Sequence, residues 1–251
     1  MPINHTRIDK FIAYYCNISK RAVRLMVAQK RITVDDCLVN DVALIINRFS
    51  KISLDGKLIQ NESPTYIMLN KPVGVVSATK DGKHPTVIDL VSKYFEKNIY
   101  DDLHIVGRLD LNTSGLVLLT NDSRWSSSIT SPNYKISKHY RVSLEHPITS
   151  DYIDAFEQGM YFPFEDITTK PAKLKIIDNN IAIVTLIEGR YHQIKRIFGR
   201  FRNPVIALHR LSIGEIKLDK ALLSGESRLL TQEEIDSIYP TSKTNGNSAV
   251  V

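Results

Sequence analysis

The segment GRLDLNTSGLVLLTND, residues 107–122, holds the densest set of chemically capable side chains in the sequence. Two readings of it compete. Counted from Asp110, oxygen ligands fall at calcium-loop spacing: Asp110, Asn112 and Ser114, with Gly115 at the sharp turn. Such a loop needs a bidentate acid at its twelfth position and a helix on either side. That position is Asn121, Asp122 comes one place late, and Leu116, which would lend its carbonyl, opens the strand-like run LVLLT. Calcium fails on both spacing and context. The other reading is a carboxylate on a tight turn, where Gly107 permits the bend and Thr113, Ser114 and Gly115 supply hydroxyls and flexible backbone. Spacing alone leaves open whether Asp110 faces a cleft or only closes an Asx-turn with Arg108 paired to it.

No other grouping suggests a metal or a redox cofactor. Cys16 and Cys37 lack CxxC or Cys/His ligand spacing and read as reduced thiols. The seven histidines form no metal set. The expectation is a protein without metal or cofactor.

The elements that must position Asp110 follow from apolar spacing. In TRIDKFIAYY, Ile8, Phe11, Ile12 and Tyr15 mark one helical face. Ser19 can cap a second helix with Val23, Met26 and Val27 inward and Lys20, Arg21 and Arg24 outward, followed by Lys30 and Arg31. ITV and the hairpin KISL–DG–KLIQ complete a small module over residues 1–60, and NESPT, 61–65, reads as a linker. Residues 66–238 are strand-rich, with YIMLN, VGVVSA, LVLLT, HYRVSL, AKLKII–DNN–IAIVTLI and VIAL as strands. A helix is expected over 151–159. Another follows Gly189, with Ile194, Ile197, Phe198 and Phe201 buried, and Pro204 prevents its continuation. Residues 239–251 lack periodicity and read as a disordered tail. The fold class is α+β: a small N-terminal module, then a larger domain built on a mixed, mainly antiparallel sheet with flanking helices.

Charge points to a polyanion. The chain has 33 Lys and Arg against 27 Asp and Glu, a net +6, with 43% hydrophobic and 24% charged residues. The excess lies in two segments: ten cations against six acids in 1–62, and eight against three in 185–220. Two basic regions far apart in sequence suit one long anionic ligand touched twice. The N-terminus MPINHTRIDK has no apolar signal core and no run approaches membrane-span length, so a cytoplasmic protein without a membrane partner is expected.

Taken together, the motifs resemble those of the pseudouridine synthases, in the branch that acts on ribosomal RNA. GRLDLNTSGLVLLTND is similar to the family signature. LNKPVG (69–74), HPTV (84–87), KHY (138–140), EGRYHQIKRIF (188–198) and ALHRLSIGEIKL (207–218) resemble its other motifs in the same order. The first sixty residues resemble an S4 domain, a small RNA-binding module. Tyr-His after Arg190 looks more like the small-subunit branch than the large-subunit one.

The resemblance implies an isomerase that converts uridine to pseudouridine with no redox step. It assigns Asp110 as the carboxylate acting at C1′ or C2′, Lys195 as the cation beside it, and Tyr140 as the ring stacked on the uracil near C5. Several relatives carry Arg where Lys195 stands, so a point charge replaces a fork here. Arg108 would fill the space left by the flipped base, and Leu208 would form part of the apolar wall. Asn70 and Lys71 would shape the turn that supports Asp110, while Lys20, Arg21, Arg24, Lys30 and Arg31 would follow phosphates. His192 and His209 are given no chemistry. The partner implied is small-subunit 16S ribosomal RNA, naked or in an assembly intermediate, bound by a monomer. The alternatives are a large-subunit synthase of the same branch and a non-catalytic RNA-binding or ribosome-assembly protein.

Overall fold

Strand β1 (Thr6–Arg7) runs directly into helix α1 (Ile8–Tyr15), whose Ile8 and Ile12 lie one turn apart and are fully buried. The computed structural model describes residues 5–163 and 165–239, so the expected tail lies outside the described residues except for Tyr239. The chain divides into two units, Met1–Pro64 and Thr65–Val251.

In the first unit, α2 (Lys20–Ala28) starts at Ser19, whose hydroxyl accepts the Ala22 amide at 3.2 Å. This is the capping that the sequence predicts. Val23 and Val27 on its inner face join Ile8 and Ile12 in one core. Strands β2 (Ile32–Val34), β3 (Cys37–Leu38), β4 (Ile45–Ile46), β5 (Ile52–Leu54) and β6 (Lys57–Gln60) follow. Four of them form a sheet in the order β3-β2-β5-β6, and β4 pairs with β1. Asp55 and Gly56 both have positive φ, +52° and +75°, as a two-residue turn of that type requires.

The second unit is built on β7 (Tyr66–Lys71), α3 (Val87–Val91), α4 (Lys97–Tyr100), β8 (His104–Val106), β9 (Ser114–Thr120) and α5 (Ser123–Thr130). Next come β10 (Lys138–Leu144), α6 (Asp151–Gln158), β11 (Tyr161–Phe162), β12 (Ile167–Thr168), β13 (Lys173–Asp178) and β14 (Ile181–Leu186). The last elements are α7 (Gln193–Arg200), β15 (Val205–Ile213), β16 (Ile216–Lys217), β17 (Ser227–Leu229) and α8 (Gln232–Asp236). Its main sheet runs β13-β14-β10-β15-β9-β7-β17, with β8 on β9 and β16 on β15. Only the β15–β9 pairing is parallel, so the sheet is mixed and mainly antiparallel.

Side-chain alternation divides the apolar residues between two faces. Ile67, Leu69, Val117 and Leu119 face the larger core, with Val142, Val184, Phe156 and Phe198. Met68, Leu116 and Leu118 face the smaller one, with Trp125 and Ile129. Strand β9 is buried on both faces, which is why LVLLT is apolar without alternation.

One expectation is corrected, and one helix had no assignment. VGVVSA is not a strand: Gly74 has φ +84°, and Val76 makes only an isolated bridge to Thr86. Pro72 and Gly74 turn this segment back across the 107–113 turn, where the Gly74 amide donates to the Leu111 carbonyl at 2.9 Å. Conversely, the serine-rich SRWSSSIT forms α5. Asp122 accepts the amides of Arg124 and Trp125, and Trp125 and Ile129, four apart, are buried.

The turn that carries Asp110 is compressed against β15. The pairing places Gly115 opposite Arg210, and a β-carbon on Gly115 would lie 2.3 Å from the Arg210 carbonyl oxygen. With φ at +106° as well, the position admits only glycine.

Candidate active site

The main chain of residues 107–113 is held at almost every position. Lys71, fully buried, donates from Nζ to the carbonyls of Pro72 at 2.9 Å, Asp110 at 3.1 Å and Thr113 at 2.7 Å. Arg210, 1% exposed, donates from Nε to the Leu116 carbonyl at 2.7 Å and from Nη2 to the Gly107 carbonyl at 2.6 Å. Its Nη1 reaches the Arg108 carbonyl at 3.4 Å. Ser77 Oγ accepts the Leu109 amide at 3.0 Å and donates to the Leu109 carbonyl at 2.8 Å. Within the turn, the Thr113 amide donates to the Asp110 carbonyl at 3.0 Å.

Both buried cations use carbonyl acceptors, and among the described residues neither forms an ion pair with a carboxylate. An unpaired buried charge is tolerated only when its donors are satisfied, so the turn and the two cations each require the other. Burial draws the Lys71 ammonium down to about 8, with Arg210 and Lys195 adding to the fall and Asp110 opposing it.

Above this turn is a cavity of about 370 Å³, lined by Arg108, Asp110, Thr113, Tyr140, Leu186, His192, Ile194, Lys195 and Leu208. That volume lies within the range of small-molecule sites. Strand β10 supplies Tyr140, α7 supplies Lys195, and β15 supplies Leu208. Tyr140 is 8% exposed, lies opposite Arg210 in the β10–β15 pairing, and places its hydroxyl 3.5 Å from Arg210 Nη1. The Thr113 hydroxyl is buried without a protein partner, which leaves a polar atom available to a ligand at the cavity wall.

The structure thus brings Arg108, Asp110, Tyr140, Lys195 and Leu208 to one cavity, with Lys71 beneath it. Arg108 is exposed and has no side-chain partner among the described residues, so the Asx-turn with a paired Arg108 is not formed. Among the described residues no three metal-ligating side chains gather, and β9 follows the turn where a calcium loop needs a helix.

Several expectations need correction. Asn70 does not touch the turn: its side chain donates to the Leu222 carbonyl and its backbone pairs with Gly225 and Glu226. Lys195 makes no ion pair with Asp110; the partner of that carboxylate is His192, with Nε2 3.2 Å from Oδ2. Arg31 is bound through Nε and Nη2 to Asp55 at 2.7 Å, whereas Lys20, Arg21, Arg24 and Lys30 are exposed without ion pairs among the described residues. His192 and Arg210 were given no role in the site. Arg210 did leave a signal, since strand alternation puts it on the same buried face as Leu208.

The clamp yields a stability prediction with a definite sign. Lys71→Met leaves three buried carbonyls unpaired and should cost about 3 kcal/mol at pH 7. The folded-state pKa lies below the ordinary 10.5, so between about 8 and 10.5 the unfolded chain holds a proton that the folded one has released. Wild-type stability should therefore gain on the variant as pH rises through that window. Denaturant unfolding of both proteins from pH 7 to 10 measures it; a constant or shrinking gap contradicts the lowered Lys71 pKa, and no loss of stability at pH 7 contradicts the clamp.

Comparison with known proteins agrees with this geometry. Residues 65–199 match the family described as RNA pseudouridylate synthase. The ribosomal small subunit pseudouridine synthase A of Pseudomonas aeruginosa is 47% identical over 92% of this chain and 100% of its own length. The protein of that name from Escherichia coli K12 is 42% identical over 92% of this chain and 99% of its own. A crystal structure of a pseudouridylate synthase superimposes with a TM-score of 0.67 at 38% identity, covering 93% of this chain and 99% of that one. The chain belongs to the RNA pseudouridylate synthase family.

Proposed function

We propose that this protein converts a uridine of small-subunit 16S ribosomal RNA into pseudouridine, with Asp110 as the catalytic carboxylate. The observation that carries the reading is the single cavity joining Arg108, Asp110, Tyr140, Lys195 and Leu208 from four separate stretches of chain. The substrate follows from the names of relatives that match over nearly their full length, both small-subunit pseudouridine synthases.

The reaction breaks the N1–C1′ bond, turns the uracil and forms C5–C1′. The proton lost from C5 is balanced by one gained at N1, so no oxidant is required. Asp110 acts at the sugar, as a nucleophile on C1′ or as a base at C2′. Either role needs an oxygen free to approach, and the turn supplies it: the backbone is bound while the carboxylate is not held by the main chain. Tyr140 offers a ring to stack on the uracil and a hydroxyl at its edge. Lys195 supplies positive charge to the carboxylate once the uridine is in place. Leu208, with Leu186 and Ile194, forms the apolar wall against the base. Arg108, exposed at the cavity, occupies the gap that the flipped nucleotide leaves in the RNA.

The first unit serves as an S4-type RNA module, with residues 61–65 as its linker to a catalytic domain over 66–238. Lys20, Arg21, Arg24 and Lys30 contact phosphates, and Arg31 serves through its pair with Asp55 to hold the hairpin. The protein works as a monomer in the cytoplasm, where its RNA is made. No helix among the described residues is long and apolar enough to cross a membrane.

Tritium release from 5-tritiated uridine in unmodified 16S RNA, with EDTA present, tests the reading. Wild type should release tritium, and Asp110→Asn should be slower by on the order of 10³-fold or more. Release from large-subunit RNA alone would move the substrate, and release by both proteins would remove Asp110 from the chemistry. For the RNA module, Arg21→Ala with Arg24→Ala should weaken RNA binding and flatten its log–log salt dependence by about 1.5. An unchanged affinity and slope would contradict that role.

A further inference from the structure

One polar side chain inside the cavity has no part in the chemistry above. His192 is the side chain in polar contact with the Asp110 carboxylate, Nε2 to Oδ2 at 3.2 Å. Its placement is imposed. The His192 backbone has φ +49° and ψ +26°, a left-handed conformation that a β-carbon disfavours. The ring is stacked on Tyr191, with centroids 3.8 Å apart and planes 20° from parallel. Behind it, Glu188 fixes the loop by accepting the Lys170 amide at 2.9 Å, Gln193 Nε2 at 2.6 Å and Arg190 Nε at 3.1 Å. Gln193 is itself buried and accepts the Arg190 amide through Oε1. An uncommon backbone conformation kept in place by buried polar contacts is a reason to look for a task.

We infer that His192 reads the ribose of the target nucleotide, exchanging its contact with Asp110 for a hydrogen bond to the 2′-hydroxyl when the uridine enters. The inference rests on the role proposed for Asp110. For that carboxylate to act, one of its oxygens must come within about 3–3.5 Å of the sugar carbon. A nitrogen 3.2 Å from the same carboxylate then lies beside the sugar, next to the polar substituent on the carbon adjoining C1′. The hydroxyl both donates and accepts, so it can pair with either form of the imidazole nitrogen. Lys195, on the same cavity wall, takes over the carboxylate as His192 releases it. In this arrangement the free enzyme holds its carboxylate on the residue that later recognises the sugar. A nucleotide without a 2′-hydroxyl would leave His192 without a replacement partner.

Competition measures this directly. Single-turnover tritium release from 16S RNA gives the half-saturation concentration for uridine. Unlabelled RNA of the same sequence, with 2′-deoxyuridine at the modified position, serves as inhibitor whether or not it reacts. In wild type the deoxy competitor should bind at least about tenfold more weakly than the uridine RNA. His192→Phe keeps a ring against Tyr191 and removes both nitrogens, so the two RNAs should then bind about equally. His192→Asn keeps a donor and should retain part of the discrimination. Undiminished discrimination in His192→Phe overturns the inference, as does its retention in His192→Phe with loss in His192→Asn, which is the pattern of a ring packed on Tyr191. Absence of tritium release by wild type from any ribosomal RNA is a separate result that rejects the synthase reading itself.

Discussion

Two buried cations whose donors go to main-chain carbonyls decide the shape of this site. Lys71 binds the carbonyls of Pro72, Asp110 and Thr113, and Arg210 binds those of Gly107, Arg108 and Leu116. A loop of this length would ordinarily lie at the surface with its carbonyls in water. Here the carbonyls are turned inward because the cations need them, and the cations are tolerated inside because the carbonyls are there. Gly115 completes the arrangement, since only glycine lets β9 approach the Arg210 backbone so closely.

The consequence for chemistry is a division between backbone and side chain. Most carbonyls from 107 to 113 and the amides of Leu109 and Thr113 are bound, whereas among the described residues the Asp110 carboxylate pairs with His192 alone and the Arg108 guanidinium has no partner. A catalytic carboxylate held by strong backbone donors would resist approaching the sugar. One held through its own main chain can approach without the loop moving. Lys71 and Arg210 hold the turn from beneath, and Lys195 lines the cavity above it.

Local signals in the sequence were enough for the elements that depend on them. Ser19 as a cap, Asp55-Gly56 as a turn and the apolar run of β9 each act through neighbours in sequence, and each is found where it is expected. Signals that depend on distant contacts were misread. VGVVSA has strand composition, but its conformation is set by Ser77 and Gly74 binding a turn more than thirty residues away. SRWSSSIT was assigned no element, and burial of Trp125 and Ile129 makes it helical. The same distinction applies to the site. Ordered motifs led to Asp110, Tyr140 and Lys195, which line one cavity, while the contact between His192 and Asp110 depends on the 188–193 loop meeting the 107–113 turn at that cavity. Arg31 and Asn70 misled for the same reason, as their partners Asp55 and Leu222 lie far along the chain.

Amide hydrogen exchange across residues 107–114, comparing wild type with Arg210→Lys, tests the clamp most directly. Lysine keeps the charge but cannot span the carbonyls of Gly107 and Leu116 together. Exchange at Leu109 and Thr113 should accelerate by on the order of tenfold or more, with β10 and β14 protected as before. Unchanged protection at these two amides in a folded variant would mean that Arg210 does not hold the turn, and the account of how Asp110 is presented would be wrong.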